Sequence, residues 1–193
     1  MTGKSKTDAE PLEVCRRVWT IGHSTRALAE LLALLAEFEV TALVDVRRFP
    51  GSRRYPHFSG PALAHALSEV AIAYAHEPDL GGRRDPVPDS PNGAWRVAAF
   101  RGYADHMATP AFRAGLLRVL AQAEMGRPVI MCAEAVPWRC HRQLIADALV
   151  ARGVAVRHIL GPGQERAHAL NPSARPGPDG VLVYPATAQA RLI

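Results

Sequence analysis

The chain has 193 residues, 48% of them hydrophobic, and this length suits one domain with a substantial core. No apolar run is long enough to span a bilayer, and the first residues lack the apolar stretch of a signal peptide. We therefore expect a cytoplasmic protein that does not interact with membranes. Three cysteines are too few for a disulfide framework.

The basic residues favour an anionic partner. The net charge is +5, and because Lys4 and Lys6 are the two lysines, 21 of the 23 basic residues are arginines. Four of these arginines lie in "RRFPGSRR", residues 47–54. Solvated surface arginines are one explanation. The planar guanidinium also suits phosphate and carboxylate groups, so the sequence predicts an anionic small molecule or a nucleic acid as partner.

Strand and helix patterns alternate along the chain. We expect a flexible N-terminal segment over 1–13 and a single α/β domain over 14–193. Short apolar runs and helical spacings predict, in order, a strand over 18–21, a helix over 26–38 capped by Ser24 or Thr25, a strand over 40–46, a helix over 60–70, a strand over 72–77, a long loop over 78–93, a short helix over 100–107, a helix from Thr109 to 124, a strand over 128–132, a helix over 139–153 and a strand over 154–160. Residues after 160 are predicted to be mostly loop, with a short edge strand near 181–185.

This alternation predicts an α/β fold with a mainly parallel sheet and helices on both faces, a Rossmann-like three-layer single domain. Four polar clusters directly follow predicted strands: "GHST", "DVRRFPGSRRYPHF", "HEPDLGG" and "CAEAVPWRCHR". The carboxyl ends of parallel strands lie at one edge of a sheet, where ligands bind in such folds. The sequence therefore predicts a binding site at this rim.

The "CAEAVPWRCHR" cluster concentrates reactive side chains. Cys132 at the end of a strand is either a nucleophile, with its pKa lowered by nearby arginines, or a small buried residue. Cys140 shares a predicted helical face with apolar residues, which favours a core position. His141 is a general acid/base or a hydrogen-bonding residue of the loop. A metal site formed with both cysteines is an alternative, but no CxxC or HxxxH spacing supports it, and we expect no metal.

Other residues near the rim have two interpretations each. Asp45 lies in an apolar strand, where a carboxylate needs a partner, so it forms a salt bridge with an arginine or acts as a general base. Ser24 suits a helix cap, and His23 is a candidate for the site. Nothing in the sequence fixes whether His168 folds back over the rim.

The motifs taken together resemble the DUF488 family, a domain of unknown function. The resemblance covers Val18 to Pro185 and rests on "TIGHST", "DVRRFPGSRRYPHF", "LGG", "FRGYADHM", "CAEAVPWRCHR" and "AHALNPSARPGPDGVLVYP". The residues that match its pattern are His23, Ser24, Asp45, Arg47, Pro50, Ser52, Arg53, Gly81, Gly82, Tyr103, Cys132, Glu134, Cys140, His141 and Arg142. The resemblance implies no established reaction; loose DNA-repair labels in the family weakly favour nucleic acid.

We predict an enzyme that acts on a phosphorylated or nucleotide-like anion at the rim. The catalytic candidates are Cys132, Glu134, Asp45 and His141. The ligand-binding candidates are His23, Ser24, Arg47, Ser52, Arg53, Gly81, Gly82, Tyr103, Arg139 and Arg142. A nucleic-acid-binding module and a cysteine-based sensor are the alternatives. The sequence identifies neither a cofactor nor an oligomeric state.

Overall fold

A computed structural model describes residues 16–51 and 53–186. Its central sheet consists of β1 (Arg17–Gly22), β2 (Ala42–Asp45), β3 (Ala73–His76), β4 (Pro128–Cys132), β5 (Ala155–Gly161) and β6 (Gln164–Ala167). The helices are α1 (Leu28–Glu37), α2 (Gly60–Ser68), α3 (Ala98–His106), α4 (Pro110–Met125) and α5 (Arg142–Val150). Short 3-10 turns occupy Pro56–Phe58, Pro78–Leu80, Pro137–Arg139 and Pro178–Gly180, and β7 (Arg175–Pro176) pairs with β8 (Leu182–Val183).

The sheet has the strand order β3-β2-β4-β1-β5-β6. Strands β1 to β5 are parallel, and β6 returns antiparallel to β5. Every residue of β2 and of β4 is buried, as expected for strands covered on both faces. The Rossmann-like three-layer α/β fold predicted from the sequence is confirmed.

Two hydrophobic cores lie between the sheet and the helices, one on each face. On one face, α1 and α2 pack against the sheet; this core includes Leu31, Leu35, Leu63, Leu67, Ile21, Leu43 and Met131. On the other face, α4 and α5 pack with the C-terminal β8; this core includes Leu116, Val119, Leu144, Ile145, Val44, Ile130 and Leu182. Burial of these side chains, at about 1.5–3 kcal/mol each, is what holds helices of both layers to the strands.

The two layers create a crevice at the carboxyl end of the sheet. Neighbouring strands β1 and β4 run parallel, with Gly22 opposite Cys132. The connection after β1 leads to α1 on one face, whereas the connection after β4 leads to α5 on the other. The loops therefore diverge between these two strands, which is the point where open α/β sheets bind ligands.

The predicted start of α4 is confirmed in detail. Thr109 is the N-cap, and its hydroxyl accepts a hydrogen bond from the amide of Phe112 at 3.2 Å. Pro110 occupies the first helical position, where its missing N–H costs no hydrogen bond.

Three local predictions were wrong. Helix α1 begins at Leu28 with Ala27 as its N-cap, because Ser24 adopts a left-handed backbone (φ 48°) within the preceding turn. Helix α5 begins at Arg142, so Cys140 and His141 precede it instead of lying on its surface. The segment after residue 160 also contains β6, whose polar "QERA" sequence resembles a loop because an edge strand buries little.

Among the described residues, no helix has the length and apolarity that crossing a bilayer requires. The predicted flexible segment 1–13 and the candidate Ser52 lie outside the described residues.

Candidate functional site

The loops after β1 and β4 are bonded to each other at the crevice. The amide of His23 donates to the carbonyl of Cys132 at 3.0 Å, and the amide of Ser24 donates to that of Ala133 at 2.9 Å. A side chain at Gly22 would overlap the carbonyl of Glu134, so only glycine allows this close approach. The bonded loops form a rigid floor on which functional side chains are placed.

A cavity of about 820 Å³ opens above this floor. Its lining comes from the loops after β1, β2 and β4, from the loop that follows β3, and from α3. The lining residues are His23, Ser24, Thr25, Arg47, Arg48, Phe49, Gly51, Arg54, Tyr55, Gly82, Arg83, Val97, Ala99, Phe100, Cys132, Ala133, Glu134, Arg139, Cys140 and His141. The volume is within the range that accommodates a small-molecule ligand.

The cavity is positively charged. Exposed guanidinium groups of Arg48, Arg54, Arg83 and Arg139 line it, and Glu134 is the acidic residue among its described lining residues. Arginine keeps its charge at any physiological pH, so four cations face one carboxylate. This imbalance attracts anions.

A buried ion pair supports the wall beside β2. Asp45 is fully buried and accepts hydrogen bonds from Nε of Arg47 (2.8 Å), from its Nη2 and from the hydroxyl of Tyr74 (3.0 Å). Burial, followed by the charge of Asp45, raises the pKa of Tyr74 above its usual value, so its hydroxyl stays protonated as a donor. The predicted salt bridge of Asp45 is present, and it fixes Arg47 at the edge of the cavity.

His23 is neutral at this position. Its Nδ1 lies 3.0 Å from the carbonyl of Ser24 and donates to it, which leaves Nε2 to accept from Nη1 of Arg47 at 3.3 Å. Burial and the adjacent Arg47 charge lower the pKa of His23 to about 4. His23 thus presents an uncharged imidazole next to a fixed cation.

Two cysteines and a histidine lie close together in the wall of the cavity. The Sγ atoms of Cys132 and Cys140 face each other, and their Cα atoms are 7.8 Å apart, outside the usual disulfide span of about 4.4–6.8 Å. Nε2 of His141 donates to the carbonyl of Val46 (3.3 Å), so the free lone pair of Nδ1 faces Sγ of Cys140 at 3.6 Å. Burial lowers the pKa of His141 to about 4, which keeps this imidazole neutral.

Arg142 lies directly behind Cys140. It is 1% exposed, and burial lowers its pKa to about 9, which still leaves it charged at neutral pH. Its backbone amide and Nε lie 3.5 and 3.4 Å from Sγ of Cys140, and its Nη2 donates to the carbonyl of Glu134 at 2.6 Å. Such donors stabilise the thiolate of a reduced cysteine. Of the two cysteines, Cys140 is the one with donors placed to stabilise a thiolate.

The structure brings eight of the predicted site residues to the cavity wall; they are His23, Ser24, Arg47, Gly82, Cys132, Glu134, Arg139 and His141. Five other candidates lie outside the described lining. Asp45 and Arg142 act behind it, as described above. The hydroxyl of Tyr103 donates to the carbonyl of Leu80 at 2.7 Å, and its ring packs against His141. Gly81 packs against Arg48, and Arg53 is exposed.

Sequence reasoning did not select Arg48, Arg54, Arg83 or Phe49, although all four line the cavity. The arginine cluster indicated the loop but not which of its members point inward, because the loop lacks a regular period. Arg83 has a left-handed backbone (φ 60°) within the proline-rich loop, a conformation that no pattern in the sequence announces.

A second polar network lies on the far side of β1. Hydrogen bonds join Thr20 to His158 (2.7 Å), His158 to His168 (2.9 Å) and His168 to Asp147 (2.8 Å). Both histidines line a smaller cavity of about 280 Å³ beside Trp138. His168 therefore folds back onto β5 and α5 and does not line the larger cavity.

A family model described as "Domain of unknown function DUF488" matches residues 27–149, which is more than half of the chain. No curated protein and no solved structure matches it.

Proposed function

We propose that this chain, which belongs to the DUF488 family, is an enzyme acting on a phosphorylated or nucleotide-like anion bound in the larger cavity. One observation carries this proposal: the cavity combines exposed guanidinium groups with a cysteine–histidine cluster at its floor whose two cysteines are buried. Cations alone would suit a binding protein. The reactive groups beneath them favour chemistry on the bound molecule.

The anion is held by Arg48, Arg54, Arg83 and Arg139, which reach the cavity from three loops. The guanidinium fork binds phosphate oxygens in pairs, and converging forks fix both position and orientation. Arg47 has a different part. Because Asp45 and His23 occupy three of its five donors, its guanidinium is held in place and supplies a fixed positive potential.

The reacting groups lie at the floor. Cys132 and Cys140 provide the sulfur atoms, Nδ1 of His141 provides a lone pair directed at Cys140, and Glu134 provides a carboxylate on the same wall. In this proposal Asp45 is a positioning residue, because its oxygens are directed to Arg47 and Tyr74 and it is absent from the described lining.

Isothermal titration calorimetry with pyrophosphate and with adenosine monophosphate tests the binding step. Replacing Arg83 and Arg139 by Gln should weaken binding roughly ten-fold or more per residue, because a charged hydrogen bond contributes about 1.5–3 kcal/mol. Arg113, exposed on α4 and not part of the described lining, is the matched control, and its change to Gln should alter affinity less than about two-fold. If Arg113→Gln lost as much affinity as Arg83→Gln and Arg139→Gln, the result would contradict the proposal.

A nucleic-acid-binding module is the second candidate. Phe49 is 67% exposed at the cavity wall with the guanidinium of Arg48 over its ring, and such aromatic–arginine pairs stack on bases. A further titration with a single-stranded oligonucleotide separates the two functions. A binding module would bind a single-stranded oligonucleotide far more tightly than the mononucleotide, with a steep loss of affinity as salt rises. The paired cysteines suit the third candidate, a cysteine-based sensor.

A further inference from the structure

We propose that Cys132, Cys140 and His141 bind a zinc ion at the floor of the larger cavity when the two cysteines are reduced. Their ligand atoms lie within 4.8 Å of one another, and two of the three residues are buried. This inference deepens the proposed function, on which it rests for the identity of the cavity, by assigning a metal to the reacting groups.

The distance between the ligand atoms of Cys140 and His141 fits tetrahedral zinc. With Zn–S of about 2.3 Å and Zn–N of about 2.0–2.1 Å, the edge of a tetrahedron between sulfur and nitrogen is about 3.5 Å long. Nδ1 of His141 lies 3.6 Å from Sγ of Cys140. The Cα atoms of the two cysteines, 7.8 Å apart, exceed the usual disulfide span of about 4.4–6.8 Å, so the backbone has room for an atom between the sulfurs.

The groups behind the ligands are those that orient zinc ligands in proteins. A zinc-binding histidine normally donates its other ring N–H to a carbonyl or carboxylate, and Nε2 of His141 donates to the carbonyl of Val46 at 3.3 Å. This bond directs the lone pair of Nδ1 toward the sulfurs. The amide and Nε of Arg142 approach Sγ of Cys140, as donors do around a metal-bound thiolate.

Gly82 keeps the ligand nitrogen accessible. A Cβ atom at this position would lie 2.7 Å from Nδ1 of His141, so any larger residue would crowd the atom that coordinates. All three ligands line the cavity, which leaves the fourth zinc position directed toward it. Such an open position holds water or an oxygen of the substrate.

The spacing rules used for the sequence did not favour this site. They treated Cys140 and His141 as neighbours on a helix, whose side chains diverge. In the structure both residues precede α5: Cys140 is extended (φ −134°, ψ 146°) and His141 is the N-cap, and this turn brings their ligand atoms together.

Zinc binding is tested on the full chain reduced with a phosphine. Equilibrium dialysis against zinc, followed by elemental analysis, should give one zinc per chain. Cobalt substitution should give thiolate-to-cobalt charge-transfer absorption with the visible bands of tetrahedral coordination. The changes Cys132→Ser, Cys140→Ser and His141→Gln should each weaken zinc binding by more than about 100-fold, the upper end of the loss from a change behind the ligands.

Matched controls are Cys15→Ser, which lies outside the described residues, and His65→Gln, an exposed histidine of α2. Both should bind zinc as the unaltered protein does. Because a ligand variant can fail to fold, a second measurement uses the unaltered chain: saturating zinc should protect two cysteines from alkylation. Absence of zinc binding by the reduced protein, or binding that survives all three ligand changes, would overturn the inference.

The failure of this inference is distinguishable from that of the proposed function. A protein that binds pyrophosphate through Arg83 and Arg139 but takes up no zinc would refute the metal site and leave the anion site standing. A protein that binds zinc at this cluster but no anion would support the metal site and refute the substrate assignment.

Discussion

At the residue scale, the buried pair of Asp45 and Arg47 is the most demanding interaction near the cavity. Both side chains leave water, Asp45 completely and Arg47 to 8% exposure. Desolvation of such a pair costs about as much as its attraction returns, so it adds little to net stability. Its benefit is positional, because four hydrogen bonds to Asp45 hold the cavity wall in one arrangement.

Replacing Asp45 by Asn should destabilise the protein by about 3–5 kcal/mol, because the charge of Arg47 would remain buried without its counter-ion. Urea unfolding measures this loss. Tyr74→Phe removes a single hydrogen bond to the same carboxylate and should cost about 1 kcal/mol. If the two variants unfold at the same urea concentration, the carboxylate charge is not what compensates Arg47.

At the element scale, regular periods made the secondary structure predictable, and irregular turns did not. The apolar runs of β2 and β4 and the Thr-Pro start of α4 indicated their elements correctly. The turn around Cys140 was misplaced because nothing in its sequence separates a 3-10 turn from the first turn of α5. The rim location of the cavity followed from strand order, whereas the inward-facing arginines depend on loop conformation.

Asp147 on α5 forms hydrogen bonds with the segment that follows β5. Its carboxylate is 1% exposed and accepts hydrogen bonds from Nε2 of His168, the amide of Asn171 (2.9 Å) and the hydroxyl of Tyr184 (2.9 Å). All three donors belong to the segment after β5. One side chain therefore attaches residues 168–184 to the parallel domain.

Asp147→Asn should detach this segment, because its amide keeps one acceptor oxygen for the three donors and puts an N–H group in place of the other oxygen. Native-state hydrogen exchange should show amides of residues 164–184 losing protection by more than about ten-fold, while β2 and β4 stay protected. Asp89→Asn, an exposed acid in the long loop, should leave the pattern unchanged. Uniform loss of protection throughout the chain would show that Asp147 supports the whole fold instead.

At the scale of the whole molecule, the free energy of unfolding should depend on pH through His158. Burial lowers its pKa to about 3, with the nearby His168, Arg142 and Arg166 acting in the same direction. An unfolded histidine titrates near 6.5, so between about pH 6.5 and 3 only the unfolded chain binds this proton. The contribution of His158 to the free energy of unfolding is fully present above about pH 6.5 and decreases as the pH falls from about 6.5 to 3.

Urea unfolding at about pH 7, 6 and 5 should therefore show a decline of up to about 1.4 kcal/mol per pH unit from His158 alone. His158→Gln should be less stable at neutral pH, since its bond with Thr20 is altered, but its decline with acid should be shallower by that amount. His65→Gln, on the exposed face of α2, should keep the slope of the unaltered protein. Parallel curves for His158→Gln and the unaltered chain would refute the assignment.

The outer strands of the sheet have a consequence for how copies of this protein behave in concentrated solution. Strands β3 and β6 form its two edges, each four residues long, and β6 carries Glu165 and Arg166. Edge strands that are long, flat and apolar recruit other chains into aggregates, while short and charged ones resist it. The buried, strongly apolar β2 and β4 are thus flanked by strands that give another molecule little to pair with.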